Sequence, residues 1–169
     1  IIKGHFEDLL EYQFRNIIIG RFLPLIKQAK IMSGKYDVVC TNPPYMGSRK
    51  GMNAKLKKFV ERNYKDSKSD LYTCFIEKSI DYALQNKFVS MVTQHSFMFT
   101  DDYKELRVKL LDGITIENMV HLGTDAFPEI NGEVVQTTSF VIRNMSNLSH
   151  KGLFIRLVDF SCEEKSLNV

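Results

Sequence analysis

The chain has 169 residues, of which 44% are hydrophobic and 25% charged, and its formal net charge is +3. This length and composition are typical of a globular domain with its own hydrophobic core. No apolar run approaches the roughly 20 residues of a membrane-spanning helix, and the first residues lack the features of a signal peptide. We therefore expect no membrane association.

The three cysteines and four histidines are scattered along the chain. Cys40, Cys74 and Cys162 form no CxxC pair and no disulfide framework, which is typical of a protein from a reducing cytoplasm. No pair of histidines has the helical or hairpin spacing of metal ligands, so we predict no metal site.

Hydrophobic periodicity predicts alternating helices and strands. Between about Phe6 and Ala29 the apolar residues recur at helical spacing, and Pro24 either opens a second helix or kinks the run. The segment KYDVVCT, ending at Thr41, predicts a short buried strand. The remaining predicted elements are a short helix around Ala54 to Arg62, a helix capped by Ser69 or Asp70, a strand at KFVSMVTQ, a helix capped by Thr100 or Asp101 and ended by Gly113, and strands at ITIENMVHLG, EVVQTTSFVIR and GLFIRLVDF.

This order of elements predicts an α/β fold with a mostly parallel sheet. Strands separated by helices pair in parallel, whereas the short connection between two later strands indicates a hairpin and one antiparallel strand near the edge. In open α/β sheets, ligands bind at the carboxyl ends of the strands. The turn Asn42-Pro43-Pro44-Tyr45 follows the first strand directly, so we expect it at a ligand-binding edge.

The groups of this turn suit a planar ligand that carries an amino group. Asn42 offers an amide oxygen as acceptor, Pro43 and Pro44 fix the directions of their main-chain carbonyls, and Tyr45 offers a ring for stacking. A conjugated –NH2 group is a poor nucleophile because its lone pair is delocalised, and two acceptors that hold its protons return that lone pair for attack. Most Asn-Pro-Pro sequences are only turns, but the strand before this one and the aromatic residue after it favour a functional interpretation.

The segment after the turn is basic. Between Ser48 and Asp70 eight lysines and arginines stand against three acidic residues. Such a segment is either a solvated surface or a surface that faces phosphates. Its position directly after the turn favours the second interpretation.

Several stretches together resemble a known family. TNPPYMGS resembles the Asn/Asp-Pro-Pro-Tyr/Phe/Trp motif of amino-directed, S-adenosylmethionine-dependent methyltransferases. SDLYTCFIEKSIDYAL, KFVSMVTQHSFMFTDDYKELRVKLL and HLGTDAFPEINGEVVQTTSFVIR resemble the later motifs of γ-type DNA adenine-N6 methyltransferases in order and spacing. The resemblance is strongest to the large methylase subunits of type II and IIG restriction–modification systems and to the PglX methylases of BREX phage defence. It runs from about Leu25 to Arg143 and implies the C-terminal, substrate-side half of a Rossmann-like methyltransferase sheet.

The resemblance also implies roles for individual residues in methylation of a flipped adenine in double-stranded DNA. Asn42 and the carbonyl of Pro43, held by Pro44, would accept hydrogen bonds from the adenine N6 amine, with Tyr45 stacked on the base and Phe127 against its other side. Phe75, with Leu71, would contact the adenine of S-adenosylmethionine, although packing in the core is an equally good interpretation of Phe75. Plain loop anchoring remains an alternative for Phe127, and His95 lines the site or, more simply, packs near it. The residues expected to contact DNA phosphates are Arg49, Lys50, Lys55, Lys57 and Lys58.

Other parts of such an enzyme have no counterpart in the sequence. Before Asn42 its glycines, Gly4, Gly20 and Gly34, are not clustered into a cofactor-binding turn. We therefore expect that the cofactor-binding half lies upstream, and that these 169 residues bind no S-adenosylmethionine and methylate nothing alone. The expected domains are a helical lead-in at 1–35, a partial catalytic domain at 36–145, and an extra strand with the start of a linker to a missing target-recognition domain at 146–169. The exposed strand edge is expected to be covered by the N-terminal helices or paired with another copy.

Two other functions remain open at this stage. Methyltransferases of protein glutamine or of ribosomal RNA also use Asn-Pro-Pro-Tyr, because an amide or exocyclic nitrogen poses the same chemical problem. A non-catalytic DNA-binding subunit of a defence complex is the other alternative. The resemblance to restriction–modification and BREX methylases also implies other subunits of those systems as partners.

Overall fold

The computed structural model describes residues 2–124, 126 and 135–167. Within these ranges the side chains are described from residue 9 onward, except that of Ser166. The chain divides into two compact units, 1–35 and 36–169. Among the described residues no helix is long and apolar enough to cross a membrane.

The first unit is helical. Helix α1 (Ile2–Ile17) passes through a π-helical turn (Ile18–Phe22) into helix α2 (Leu23–Ser33), with Pro24 in the first turn of α2. Pro24 lacks an N–H group, and the first turn of a helix is where that loss costs least. Of the two outcomes predicted for Pro24, the structure therefore shows the opening of a second helix.

The second unit is built on a five-stranded sheet flanked by further helices. Its strands are β1 (Tyr36–Thr41), β2 (Ala83–Gln94), β3 (Thr115–Gly123), β4 (Thr137–Arg143) and β5 (Leu153–Arg156), and its helices are α3 (Ala54–Asn63), α4 (Leu71–Tyr82), α5 (Lys104–Gly113) and α6 (Cys162–Leu167). Single 3-10 turns at His95–Met98 and Asp101–Tyr103 lead from β2 into α5. The short C-terminal helix α6 carries no pattern that we recognised in the sequence.

The strand order is β1-β2-β4-β3-β5. The pairs β1–β2 and β3–β5 are parallel, whereas β4 is antiparallel to both of its neighbours, β2 and β3. The predicted mostly parallel α/β sheet and the β3–β4 hairpin are thus confirmed. The prediction that the first strand is buried is wrong, because β1 is an edge strand of the described sheet and its Val38 is 60% exposed. The antiparallel strand β4 lies two strands in from the β5 edge, because β5 adds itself outside β3.

The core lies between one face of the sheet and helices α4 and α5. Along β2, Val89, Met91 and Thr93 are buried in alternation, as expected for a strand with one face inward. Tyr72 and Ile76 of α4 join the same hydrophobic cluster. Burying side chains of this size contributes about 1.5–3 kcal/mol each, so this layer fixes the position of α4 against the sheet.

Candidate active site

The carboxyl ends of the parallel strands lie together at one end of the sheet. Register pairs Gln94, the last residue of β2, with Thr137 at the start of β4, and Thr137 also lies opposite Gly123 at the end of β3. Strand β1 runs parallel to β2 and ends at Thr41. The turn that begins at Asn42 is therefore at the same end, as the sequence predicts.

The turn exposes the side chains that could grip a ligand. Asn42 and Tyr45 are exposed, whereas Pro43 between them is buried. The Tyr45 hydroxyl donates a long hydrogen bond of 3.4 Å to the Asn42 amide oxygen. Burial and the nearby Asp70 carboxylate raise the pKa of Tyr45, so its hydroxyl is protonated and available as a donor at neutral pH. A ligand amine that binds Asn42 would replace this internal hydrogen bond.

A buried tyrosine supports the turn from below. The ring of Tyr72 meets the ring of Tyr45 edge to face, with centroids 5.9 Å apart. The Tyr72 hydroxyl accepts a hydrogen bond from the N–H of Phe97 at 3.0 Å and lies 2.7 Å from the hydroxyl of Ser96. Burial strongly raises the pKa of Tyr72. Tyr72 therefore joins α4 to the segment that follows β2, a role that its apolar helical position in the sequence does not reveal.

The two residues expected to contact the cofactor lie on α4. Phe75 is 38% exposed, although Cys74 and Ile76 on either side of it are buried, so Phe75 is not a residue of the described core. Leu71 is partly buried in the first turn of the helix. Phe75 therefore presents an apolar ring at the surface of α4.

Two histidines meet at the same end of the sheet. The Nδ1 atom of His95 lies 2.8 Å from the Nε2 atom of His121, and the ring of Phe99 lies against both imidazoles. Burial lowers the pKa of both histidines, and His95 and Arg156 lower the pKa of His121 further. The pairing depends on the register of strands far apart in sequence, so His121 could not be identified from spacing.

The basic segment leaves the turn and includes α3. Helix α3 begins after Asn53, whose side chain accepts a hydrogen bond from the N–H of Leu56 at 2.9 Å. The five cations expected at phosphates are all exposed, and no ion pair between described residues includes any of them: Arg49, Lys50, Lys55, Lys57 and Lys58. They are thus accessible to a polyanion.

Phe127 lies outside the described residues, as do 125 and 128–134. The strand residues that flank this stretch, Gly123 of β3 and Thr137 of β4, lie at the end of the sheet where the turn lies. The buried Lys165 of α6 donates from Nζ to the carbonyl of Thr124 at the end of β3. The proposed contact of Phe127 with a base stays a prediction.

The fold is shared with known methyltransferases. The chain superimposes on DrdV in its complex with DNA with a TM-score of 0.60 at 18% identity, covering 83% of this chain and 16% of that one. A protein from Listeria monocytogenes assigned as a class I S-adenosylmethionine-dependent methyltransferase gives 0.53 at 17% identity over 80% of this chain and 42% of that one. These likenesses define the fold as that of S-adenosylmethionine-dependent methyltransferases.

Sequence comparison identifies the family. The profile of the Eco57I restriction-modification methylases matches residues 5–127, and the chain belongs to this family. It is 46% identical over 150 residues to the adenine-specific methyltransferase BrxX of Escherichia coli O9:H4 (strain HS), covering 89% of this chain. It is 45% identical over 141 residues to the adenine-specific methyltransferase PglX of Lacticaseibacillus casei (strain Zhang), covering 83% of this chain. The chain spans 12% of the length of each of these relatives.

Proposed function

We propose that this chain is the substrate-side part of a DNA adenine-N6 methyltransferase that acts in restriction–modification or phage defence. The observation that carries the proposal is the Asn42–Tyr45 turn at the carboxyl end of β1, with two exposed functional side chains around a buried proline. Membership of a family of restriction-modification methylases supports the same reaction. The free cysteines of the chain fit a cytoplasmic protein.

The turn would act on the amine of a flipped adenine. Asn42 and the main-chain carbonyl of Pro43 would accept hydrogen bonds from the two N6–H groups and draw the nitrogen towards a tetrahedral geometry, while the ring of Tyr45 would stack on the base. S-adenosylmethionine, when bound, supplies an electrophilic methyl group on a sulfonium centre. With its two N–H groups held by Asn42 and Pro43, the N6 lone pair would be directed at that methyl group, and the proton lost from N6 on transfer would pass to water.

The cofactor would lie beside α4. Phe75 and Leu71 would hold its adenine by apolar contact, and the remaining contacts belong to residues outside this chain. Double-stranded DNA would lie over the basic segment, whose lysines and arginines neutralise phosphates without reading sequence.

Replacing Asn42 by Ala in the full-length protein tests this role. We expect kcat for methylation of duplex DNA to fall about 10²–10³-fold, because one acceptor of the transition state is removed. Binding of S-adenosylmethionine and of DNA should be retained. Asn147→Ala is the matched control, since Asn147 also carries an amide but caps only its own loop beyond β4, through Ser149. Unchanged turnover of Asn42→Ala would overturn the proposal.

Substrate class is tested separately. The full-length protein is assayed with duplex DNA, ribosomal RNA and a glutamine-containing peptide, and tritium transfer from labelled S-adenosylmethionine is measured. The proposal requires N6-methyladenine in the DNA. Label only in the RNA or the peptide would support the alternative methyltransferases, and label in none of the three would favour a non-catalytic subunit.

A further inference from the structure

The carboxylate of Asp70 connects the turn to helix α4. Its Oδ1 atom accepts a hydrogen bond from the main-chain N–H of Met46 at 2.9 Å, and the same atom accepts from the N–H of Tyr72 at 3.3 Å. Met46 directly follows Tyr45 of the turn, and Tyr72 is in the first turn of α4. Asp70 therefore holds the backbone of a residue that lies 24 positions before it in the chain.

Main-chain hydrogen bonds extend this junction. Gly47 and Asp70 face each other in an isolated antiparallel bridge. On one side of it the N–H of Leu71 donates to the carbonyl of Met46 at 3.1 Å, and on the other the N–H of Ser48 donates to the carbonyl of Ser69 at 2.9 Å. A side chain at Gly47 would place its Cβ atom 3.6 Å from Asp70 Oδ2, so the carboxylate also lies close over this backbone.

The junction fixes the relative position of the Tyr45 and Tyr72 rings, which would lie beneath a bound base under the proposed function. Tyr45 and Tyr72 are in edge-to-face contact, and Asp70 binds the N–H of the residue after Tyr45 and the N–H of Tyr72 itself. Hydrogen bonds to an ionised carboxylate are about twice as strong as neutral ones. In a reaction that depends on orientation, a misplacement of about 1 Å costs roughly 10²-fold in rate.

We propose that Asp70 is a positioning residue for methyl transfer, which holds the Asn42–Tyr45 turn at a fixed distance from α4. This inference rests on the proposed function. Asp70 itself touches neither base nor methyl donor in this scheme; it acts through the main chain of Met46.

The simpler interpretation is that Asp70 only caps α4. Three substitutions separate the two roles. Asp70→Asn keeps an acceptor oxygen at the same distance and retains both bonds. Asp70→Ser still caps the helix, because serine is as good an N-cap as aspartate, but its shorter side chain does not reach Met46. Asp70→Ala removes both bonds.

The readouts are kcat, KM and hydrogen exchange of the Met46 amide in the full-length protein. We expect Asp70→Ser to lower kcat roughly 10–100-fold with little change in the KM for S-adenosylmethionine, and to speed exchange of the Met46 amide. Asp70→Asn should restore kcat to within about 3-fold of the wild type and keep that amide protected. Asp70→Ala should resemble Asp70→Ser in kcat but melt at a lower temperature.

Asn144→Ala is the matched control, because Asn144 holds the opposite end of the same helix. Its Nδ2 atom donates to the carbonyls of Ala83 at 2.9 Å and Ile80 at 3.3 Å. This variant should lower the melting temperature without changing kcat or exchange of the Met46 amide. If Asp70→Ser turns over as fast as the wild type, or Asn144→Ala reduces kcat as much as Asp70→Ser does, the inference is wrong. Amide exchange tests the junction independently of any methylation, so the inference and the proposed function can fail separately.

Discussion

The side chains of Asn42 and Tyr45 are exposed, and buried residues in contact with the turn hold it in place. Pro43 is buried beneath them, and Tyr72 supports the Tyr45 ring from the core. The Tyr45 hydroxyl points to Asn42 Oδ1, the atom proposed to bind the adenine amine. Under the proposed function the ring of Tyr45 would stack on the base while its hydroxyl contacts Asn42, so the two roles can be separated.

Substitutions at Tyr45 test that separation. Tyr45→Phe keeps the ring and removes only a 3.4 Å hydrogen bond to an exposed amide, so we expect kcat/KM for DNA within about 3-fold of the wild type. Tyr45→Ala removes the stacking surface, which is worth about 1–3 kcal/mol per base, and should lower kcat/KM accordingly. Steady-state methylation of duplex DNA measures both. Equal losses in the two variants would show that the hydroxyl, not the ring, is the functional group.

Tyr72→Phe should destabilise the protein. The substitution leaves the N–H of Phe97 without its buried acceptor and removes the hydrogen bond with Ser96, a loss of about 1–3 kcal/mol. We expect a lower melting temperature for the full-length protein by differential scanning calorimetry. Tyr12→Phe is the control, since Tyr12 is 66% exposed, and it should melt as the wild type does.

At the scale of elements, the proposed roles are divided between the Asn42–Tyr45 turn and the basic helix α3. The turn is held by the hydrogen bond from Met46 to Asp70 and by the buried ring of Tyr72, whereas the described cations of α3 are exposed to solvent. DNA affinity and methyl transfer should therefore respond to different substitutions.

Replacing Lys55, Lys57 and Lys58 together by Ala tests the phosphate-binding role. We expect a higher KM for DNA with little change in kcat at saturating DNA. The slope of log Kd against log salt should decrease by about 0.9 for each phosphate that the variant no longer neutralises. Fluorescence anisotropy over a salt series measures this slope. A slope equal to that of the wild type would mean that α3 is only a solvated surface.

The His95–His121 pair between the ends of β2 and β3 predicts a pH dependence of stability. Burial holds both folded-state pKa values below the ordinary 6.5, so the unfolded chain binds more protons than the native protein as the pH falls below about 6.5. Stability from these groups is therefore complete above that pH and decreases below it. We expect a lower melting temperature at pH 5.5 than at pH 7.5, and a smaller difference in His121→Asn. An unchanged difference in that variant would assign the pH dependence to other groups.

At the scale of the whole molecule, the proposed function makes this chain one part of an active site. Strand β1, which leads into the turn, pairs on one side with β2 and is an edge strand of the described sheet. The outer side of an edge strand is a place where another segment or another copy can pair.

Expression of residues 1–169 alone tests the expectation that they bind no S-adenosylmethionine and methylate nothing on their own. We expect no methylation of DNA and no heat of binding with S-adenosylmethionine in calorimetry, whereas the full-length protein should show both. Sedimentation of the fragment should depend on concentration if the β1 edge pairs between copies. Binding of S-adenosylmethionine by the fragment would contradict the expectation that the cofactor half lies elsewhere.

The sequence predicted those features that have a local physical cause. Strand β1 and its end at Asn42 follow from an apolar run met by two residues without an N–H group, and the start of α4 follows from the capping side chain of Asp70. The second bond of Asp70, to Met46, and the contact of His95 with His121 depend on registers between distant segments, which no spacing reveals. Phe75 was equally compatible with core packing until the structure gave its exposure, because helical periodicity does not tell an inner from an outer apolar position at the margin of a stripe.

The bridge between Gly47 and Asp70 has a consequence for how such proteins diverge. The two ends of the segment 48–69 lie next to each other at this bridge, which closes the segment into a loop. The entropy of closing a loop changes slowly with its length, so insertions and deletions in its exposed part cost little conformational entropy. The exposed part of the segment can therefore change in length or charge while the bridge holds the turn, provided that the buried Val60 and Ser67 are kept. Under the proposed function, DNA affinity and methyl transfer would then vary independently of each other.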